Sequence, residues 1–152
     1  WTKPSSACPV PADFFGPGSD PFDGVICFQG EPLGTITLPG FPDPLDFGNN
    51  DTLVTRPNDP FDRCELPSAT PVAVPIQMEQ LSLVSVSPLT VTFNGGQDPE
   101  VWNVQVRVDG SAGQPGGTMT ATKSHCNGGT FDATIAVCPT FIFTKVDAPF
   151  TE

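Results

Sequence analysis

Nineteen of the 152 residues are proline, and twelve of those fall before residue 70. Proline has no amide hydrogen to donate and its φ is fixed, so it ends helices and is tolerated in sheets only at edges and bulges. The first seventy residues are therefore restricted to turns and short edge strands. Glycine adds a further 15 residues, and so much proline and glycine without periodicity would signal disorder. The apolar residues here are clustered and alternate, which indicates loop-rich folding instead. Strands are expected over Gly24–Gln29, Thr35–Leu38 and Thr52–Arg56, with one helical turn over Pro11–Phe15, proline leading.

Beyond residue 70 the pattern alternates with period two, the mark of half-buried strands. Trp102, Val104, Val106 and Val108 share one face, and Asn103, Gln105, Arg107 and Asp109 the other. Val72, Val74, Ile76 and Met78 form a second row, whose phase then slips so that Leu81 and Leu83 carry it on. Such a slip implies a bulge or a crossing between sheets. Leu89, Val91 and Phe93 make a third row, Phe131, Ala133, Ile135 and Val137 a fourth, and Phe141 with Phe143 a fifth. Between the rows stand Asn94-Gly95-Gly96, Asp109-Gly110, Gly116-Gly117 and Asn127-Gly128-Gly129, residues that supply the positive φ of tight hairpins. With no helical period anywhere, the expected fold is all-β. It is a single β-sandwich of seven to nine antiparallel strands, immunoglobulin-like in general architecture, with a proline-rich, loop-rich first half (1–70) and regular strands over 71–152.

Six basic residues against seventeen acidic ones give a net charge of −11. That field repels phosphate backbones and anionic lipid, so nucleic acid is not an expected partner. No apolar run is long enough for a transmembrane helix, and membrane insertion is not expected. Trp1 is not an initiator methionine, which fits a mature secreted chain whose leader has been removed. The expected location is extracellular or on the cell surface.

The five cysteines, Cys8, Cys27, Cys64, Cys126 and Cys138, include no CxxC pair, which argues against a zinc site and for an oxidising compartment. The preferred bridges are Cys8–Cys27 and Cys126–Cys138, each closing a local loop worth about 3 kcal/mol in the chain-entropy account. Cys64 is then left as a free thiol or a bond to another molecule, although spacing alone leaves the connectivity open.

Catalytic groups are hard to assemble from this sequence, and no enzyme is expected. The one histidine, His125, sits in a Gly-rich turn and reads as a polar turn residue, not a triad base. The carboxylates stand in proline-bounded loops without an aromatic-rich cleft for sugar hydrolysis. More informative is a repeat: Asp20-Pro21-Phe22-Asp23 recurs as Asp59-Pro60-Phe61-Asp62, with Asp43-Pro44-Leu45-Asp46 a near copy. Proline presets the turn, the leading aspartate accepts backbone N–H groups, and the apolar residue anchors the loop. A sharper reading joins Asp20, Asp23, Asp59 and Asp62 as ligands of Ca²⁺, a hard cation that takes six to eight oxygens. No other cofactor is expected. Asn50-Asp51-Thr52 is a glycosylation sequon in a polar turn.

The run Cys8-Pro9-Val10-Pro11-Ala12-Asp13-Phe14-Phe15-Gly16-Pro17-Gly18-Ser19-Asp20-Pro21-Phe22-Asp23-Gly24, with Asn94-Gly95-Gly96 and Asn127-Gly128-Gly129-Thr130-Phe131-Asp132, resembles β-sandwich modules of large secreted and surface proteins of environmental bacteria. The resemblance implies an extracellular, structural role and brings no functional motif with it.

Two functions are expected. In the first, the chain is a structural subunit of an extracellular filament or surface assembly. It polymerises with itself by exchange of a strand or of the arm Trp1-Thr2-Lys3-Pro4, with Cys64 available for an intermolecular disulfide. In the second it is a Ca²⁺-dependent adhesin or carbohydrate-binding module, with surface glycans as partners and recognition carried by loops.

Overall fold

A computed structural model describes residues 10–38, 40–56, 71–109, 113–125 and 128–146. Among them there is no helix. Ten strands follow one another: β1 Phe28–Gly30, β2 Thr35–Ile36, β3 Leu45–Asp46, β4 Thr52–Thr55, β5 Val72–Ser85, β6 Leu89–Phe93, β7 Gln97–Asp109, β8 Gly116–His125, β9 Gly128–Ile135 and β10 Thr140–Lys145. The chain is all-β and built of antiparallel sheets, in keeping with the β-sandwich class. The count is one beyond the range expected; among the described residues β2 and β3 pair only with each other, as a separate two-stranded sheet. No helical turn forms over Pro11–Phe15. Asp13 there adopts φ 64°, a left-handed conformation that breaks helical continuation.

The other eight strands form one sheet with the order β10-β7-β5-β8-β9, to which β1 and β4 add by pairing β5, and β6 by pairing β7. The long β5 divides its length among partners. Residues Val72 to Gln77 face β8, and Gln77 to Leu81 face β4. Between Leu53 and Val54 the partner on β5 jumps from Gln80 to Met78, so Glu79 is an extra residue. A bulge thus stands just after Met78, where the phase slip pointed, although beyond it Ser82 is buried while Leu81 and Leu83, expected to carry the row on, are half-buried. Two further bulges follow the same logic. Asp98 and Pro99 together oppose Thr92 near the β6–β7 turn, and Ser124 is extra between Lys123 and His125. Asp98 adopts φ 43°, and Pro99 occupies one of the few sheet positions that tolerate it.

By internal packing the chain resolves into two compact units, and both are discontinuous: residues 1–29, 83–105 and 141–152 in one, 30–82 and 106–140 in the other. The first has a cluster of Leu89, Val91 and Val104, all buried, with Phe15, Phe22, Ile26, Phe28, Phe93, Trp102 and Phe143 packed on it. The second buries Val74, Ile76 and Met78 of β5, Val106 and Val108 of β7, Ala121 of β8 and Leu38. β7 thus realises its alternation, with Val104, Val106 and Val108 buried and Asn103 exposed.

Candidate functional site

The first Asp-Pro-Phe-Asp segment closes a loop. Val10 and Phe22 bond to each other through both their N–H and C=O groups at 2.9 and 3.0 Å. Within the loop, Gly18 N–H donates to Asp13 Oδ1 at 2.7 Å, and Phe15 N–H donates to Ser19 Oγ at 3.2 Å. Asp20 then reaches the β6–β7 turn. Its carboxylate accepts the hydroxyl of Thr92 at 2.8 Å and the N–H groups of Gly95 and Gly96 at 3.0 and 2.8 Å. Its own N–H donates to Thr92 O, and Asn94 N–H to Gly18 O. Asn94, Gly95 and Gly96 all have positive φ, and the turn they make aims the Gly95 and Gly96 amides at the one carboxylate. The hydroxyl of Thr92, then the Gly96 amide and to a lesser degree that of Gly95, hold the Asp20 carboxyl below its ordinary value against an opposing desolvation. Phe22 packs on the core cluster. Both halves of the structural reading of the repeat, an aspartate that accepts N–H groups and an aromatic that anchors, therefore hold for this copy.

Of the proposed Ca²⁺ ligands, Asp20 is engaged with those three donors and Asp23 is exposed, while Asp59 and Asp62 lie outside the described residues. Among the described residues no three His, Cys, Asp or Glu side chains gather. Cys27 and Cys138 are exposed free thiols; Cys8, Cys64 and Cys126 lie outside the described residues, as does the arm Trp1-Thr2-Lys3-Pro4. The β8–β9 ladder runs from His125 opposite Gly128 to Gly117 opposite Ile135. Cys138 thus leaves that ladder at the end remote from the His125–Gly128 pair. Asn50 is exposed and follows the turn closed by its own N–H on Phe47 O, a position open to modification. His125 is exposed at the end of β8.

Two polar arrangements gave no signal in the sequence. Arg107 on β7 donates to both Ser82 Oγ and Glu31 Oε2, and Glu31 N–H donates to Ser82 O. Ser82 Oγ in turn donates to Glu31 Oε2 at 3.4 Å. Buried Gln114 grips the backbone of Cys138, its Oε1 accepting the N–H at 2.9 Å and its Nε2 donating to the C=O at 3.2 Å. An amide side chain here replaces a strand partner, which satisfies backbone groups that proline-flanked chain cannot pair regularly.

The surface feature with the greatest reach is the pair of strands that end the sheet order. Among the described residues β9 pairs only with β8 and β10 only with β7, so each has a free edge. Residues 129–134 of β9 are exposed on both faces. Phe131 lies opposite Ala121, which is buried, yet is itself 69 % exposed. The row Phe131, Ala133, Ile135 therefore continues an apolar face beyond the point where it is covered. On β10, Phe141 and Ile142 are exposed, as are Val101 and Val146 beside it, and Val146 N–H bonds to Val101 O. Phe14 is exposed above an edge-to-face stack, with ring centroids 5.1 Å from Phe15 and 5.4 Å from Phe143. Comparison with protein-family models, with curated proteins and with solved structures returned no match.

Proposed function

We propose that the chain is a structural subunit of an extracellular filament or surface assembly, in which copies join by completing one another's sheet edges. The observation that carries this reading is the pair of free edges on β9 and β10, each with large apolar side chains uncovered. A flat apolar edge attracts another strand, and proteins that remain monomeric blunt such edges with charge, proline or a covering loop. β9 and β10 between them carry only Asp132 and Lys145 as charges. On a chain of net charge −11, these strands are where two copies meet with least repulsion. Exchange of the arm Trp1-Thr2-Lys3-Pro4, a disulfide through Cys64, and Ca²⁺ held by Asp20, Asp23, Asp59 and Asp62 are further links in the same proposal. The test is negative-stain microscopy and sedimentation of native material, with and without reductant and calcium. Ordered polymers or discrete oligomers are expected, and a monomer under every condition contradicts the reading.

A second reading, an extracellular binding module for glycans, draws on exposed Phe14 above its aromatic stack. Aromatic faces stack on apolar sugar faces. A glycan array read with and without chelator distinguishes the two, since the assembly reading expects no glycan to bind.

A further inference from the structure

β10 reads Thr140-Phe141-Ile142-Phe143-Thr144 before its terminal Lys145, a sequence identical in either direction about Ile142. An antiparallel pair centred on one residue sets each position opposite its mirror position on the other strand. A strand with this symmetry therefore meets itself with every pair matched. From this, and from the free edge of β10, we infer that two copies of the chain pair β10 to β10 about a two-fold axis at Ile142. The inference rests on the assembly reading and names its contact.

Several features of unit and strand make this edge fit for that partner. Backbone N–H and C=O groups alternate between the two edges of a strand. Val146 directs its N–H to Val101 on β7, so Phe141, Phe143 and Lys145 direct theirs to the free side. In the two-fold arrangement Phe141 and Phe143 of one copy exchange hydrogen bonds with Phe143 and Phe141 of the other. Ile142 faces Ile142 at the axis, in the closer, non-hydrogen-bonded type of pair. Thr140 faces Thr144 on each side. Aromatic, β-branched and threonine pairs are favoured cross-strand neighbours.

Charge and the ladder's ends agree with the same register. The five central residues carry no charge, and Lys145, ion-paired to Glu100, falls beyond them. There it meets Pro139, which has no N–H and stops the ladder on both sides. No like charges face each other, as an interface of one patch with itself requires. Phe141 and Ile142 are 51 % and 40 % exposed, so the apolar area awaiting cover lies at the proposed axis.

The test uses the full chain in sedimentation velocity. Ile142→Glu and Ile142→Lys each place like charges opposite themselves at the axis, and each is expected to abolish the association seen for the wild type. An equimolar mixture sets Glu against Lys and is expected to restore it as a mixed pair. Circular dichroism checks that both variants keep the β fold. In wild-type protein mixed from isotopically labelled and unlabelled copies, an intermolecular Hα–Hα contact between Ile142 of one copy and Ile142 of the other is expected, with no substitution needed. Absence of that contact in associated wild-type protein overturns the β10 pairing, as does association that survives in both single variants or a mixture that stays apart. Each of these leaves assembly by another route standing. A wild type that remains monomeric overturns both.

Discussion

Asp20 shows how much one side chain can organise when its carboxylate gathers three donors. Its carboxylate takes a hydroxyl and two amides from a turn whose residues lie 72 to 76 positions away in sequence. Because these donors favour the ionised form, the folded-state pKa lies below that of the unfolded chain. The stabilisation is thus present above the ordinary aspartate value, and is lost as pH falls through the depressed folded value. Asp20→Ala is expected to lower the thermal midpoint at neutral pH and to flatten the acid limb of the stability curve. It should also speed amide exchange at Gly95 and Gly96. Equal acid sensitivity in wild type and variant would count against the clasp. Gln114 is a similar case without charge. Gln114→Ala leaves the N–H and C=O of Cys138 without their partners and is expected to cost about 1–3 kcal/mol in denaturant unfolding. Neither partner could be read from sequence. The repeat marks Asp20 as an acceptor by its own chemistry, but nothing local says which amides it meets, and glutamine in a loop has no pattern at all.

Strands were legible in proportion to how far they alternate. β7 and the start of β5 declare their faces through uninterrupted period two, and the phase slip after Met78 located the bulge that the pairing places at Glu79. In the proline-rich half, Thr52–Arg56 was matched closely by β4, whereas the runs Gly24–Gln29 and Thr35–Leu38 shrink to three- and two-residue strands. Propensity there is overridden by missing donors and by turns at Gly34 and Gly48. Phe131, Ala133 and Ile135 were correctly assigned to one face, but period reports alternation and not what covers it, so their exposure was invisible. Glycine spacing carries a further constraint. A Cβ at Gly129 would come within 2.0 Å of Thr122 O, while one at Gly116 would find nothing nearer than Ile76 O at 3.9 Å. Gly129→Ala is expected to cost about 1–3 kcal/mol and to loosen amide exchange along β8 and β9. Gly116→Ala is expected to leave both nearly unchanged. Equal effects would mean that the β8–β9 approach is not as close as the register requires.

At the scale of the whole molecule, the acidic surface and the apolar strand edges act in opposition. A charge of −11 repels a second copy over roughly a Debye length, about 8 Å at physiological salt, while edge strands carrying one charge each would favour contact at short range. Association is therefore expected to strengthen as ionic strength rises, which sedimentation across a salt series would register; weakening with salt would point to ion-paired contacts instead. The most direct measurement is amide hydrogen exchange of native protein at rising concentration, read at Phe141 and Phe143. If another copy completes this edge, protection of those two amides grows with concentration while that of the buried β7 amides Val104 and Val106 stays constant. Exchange at Phe141 and Phe143 that stays fast at every concentration would contradict it.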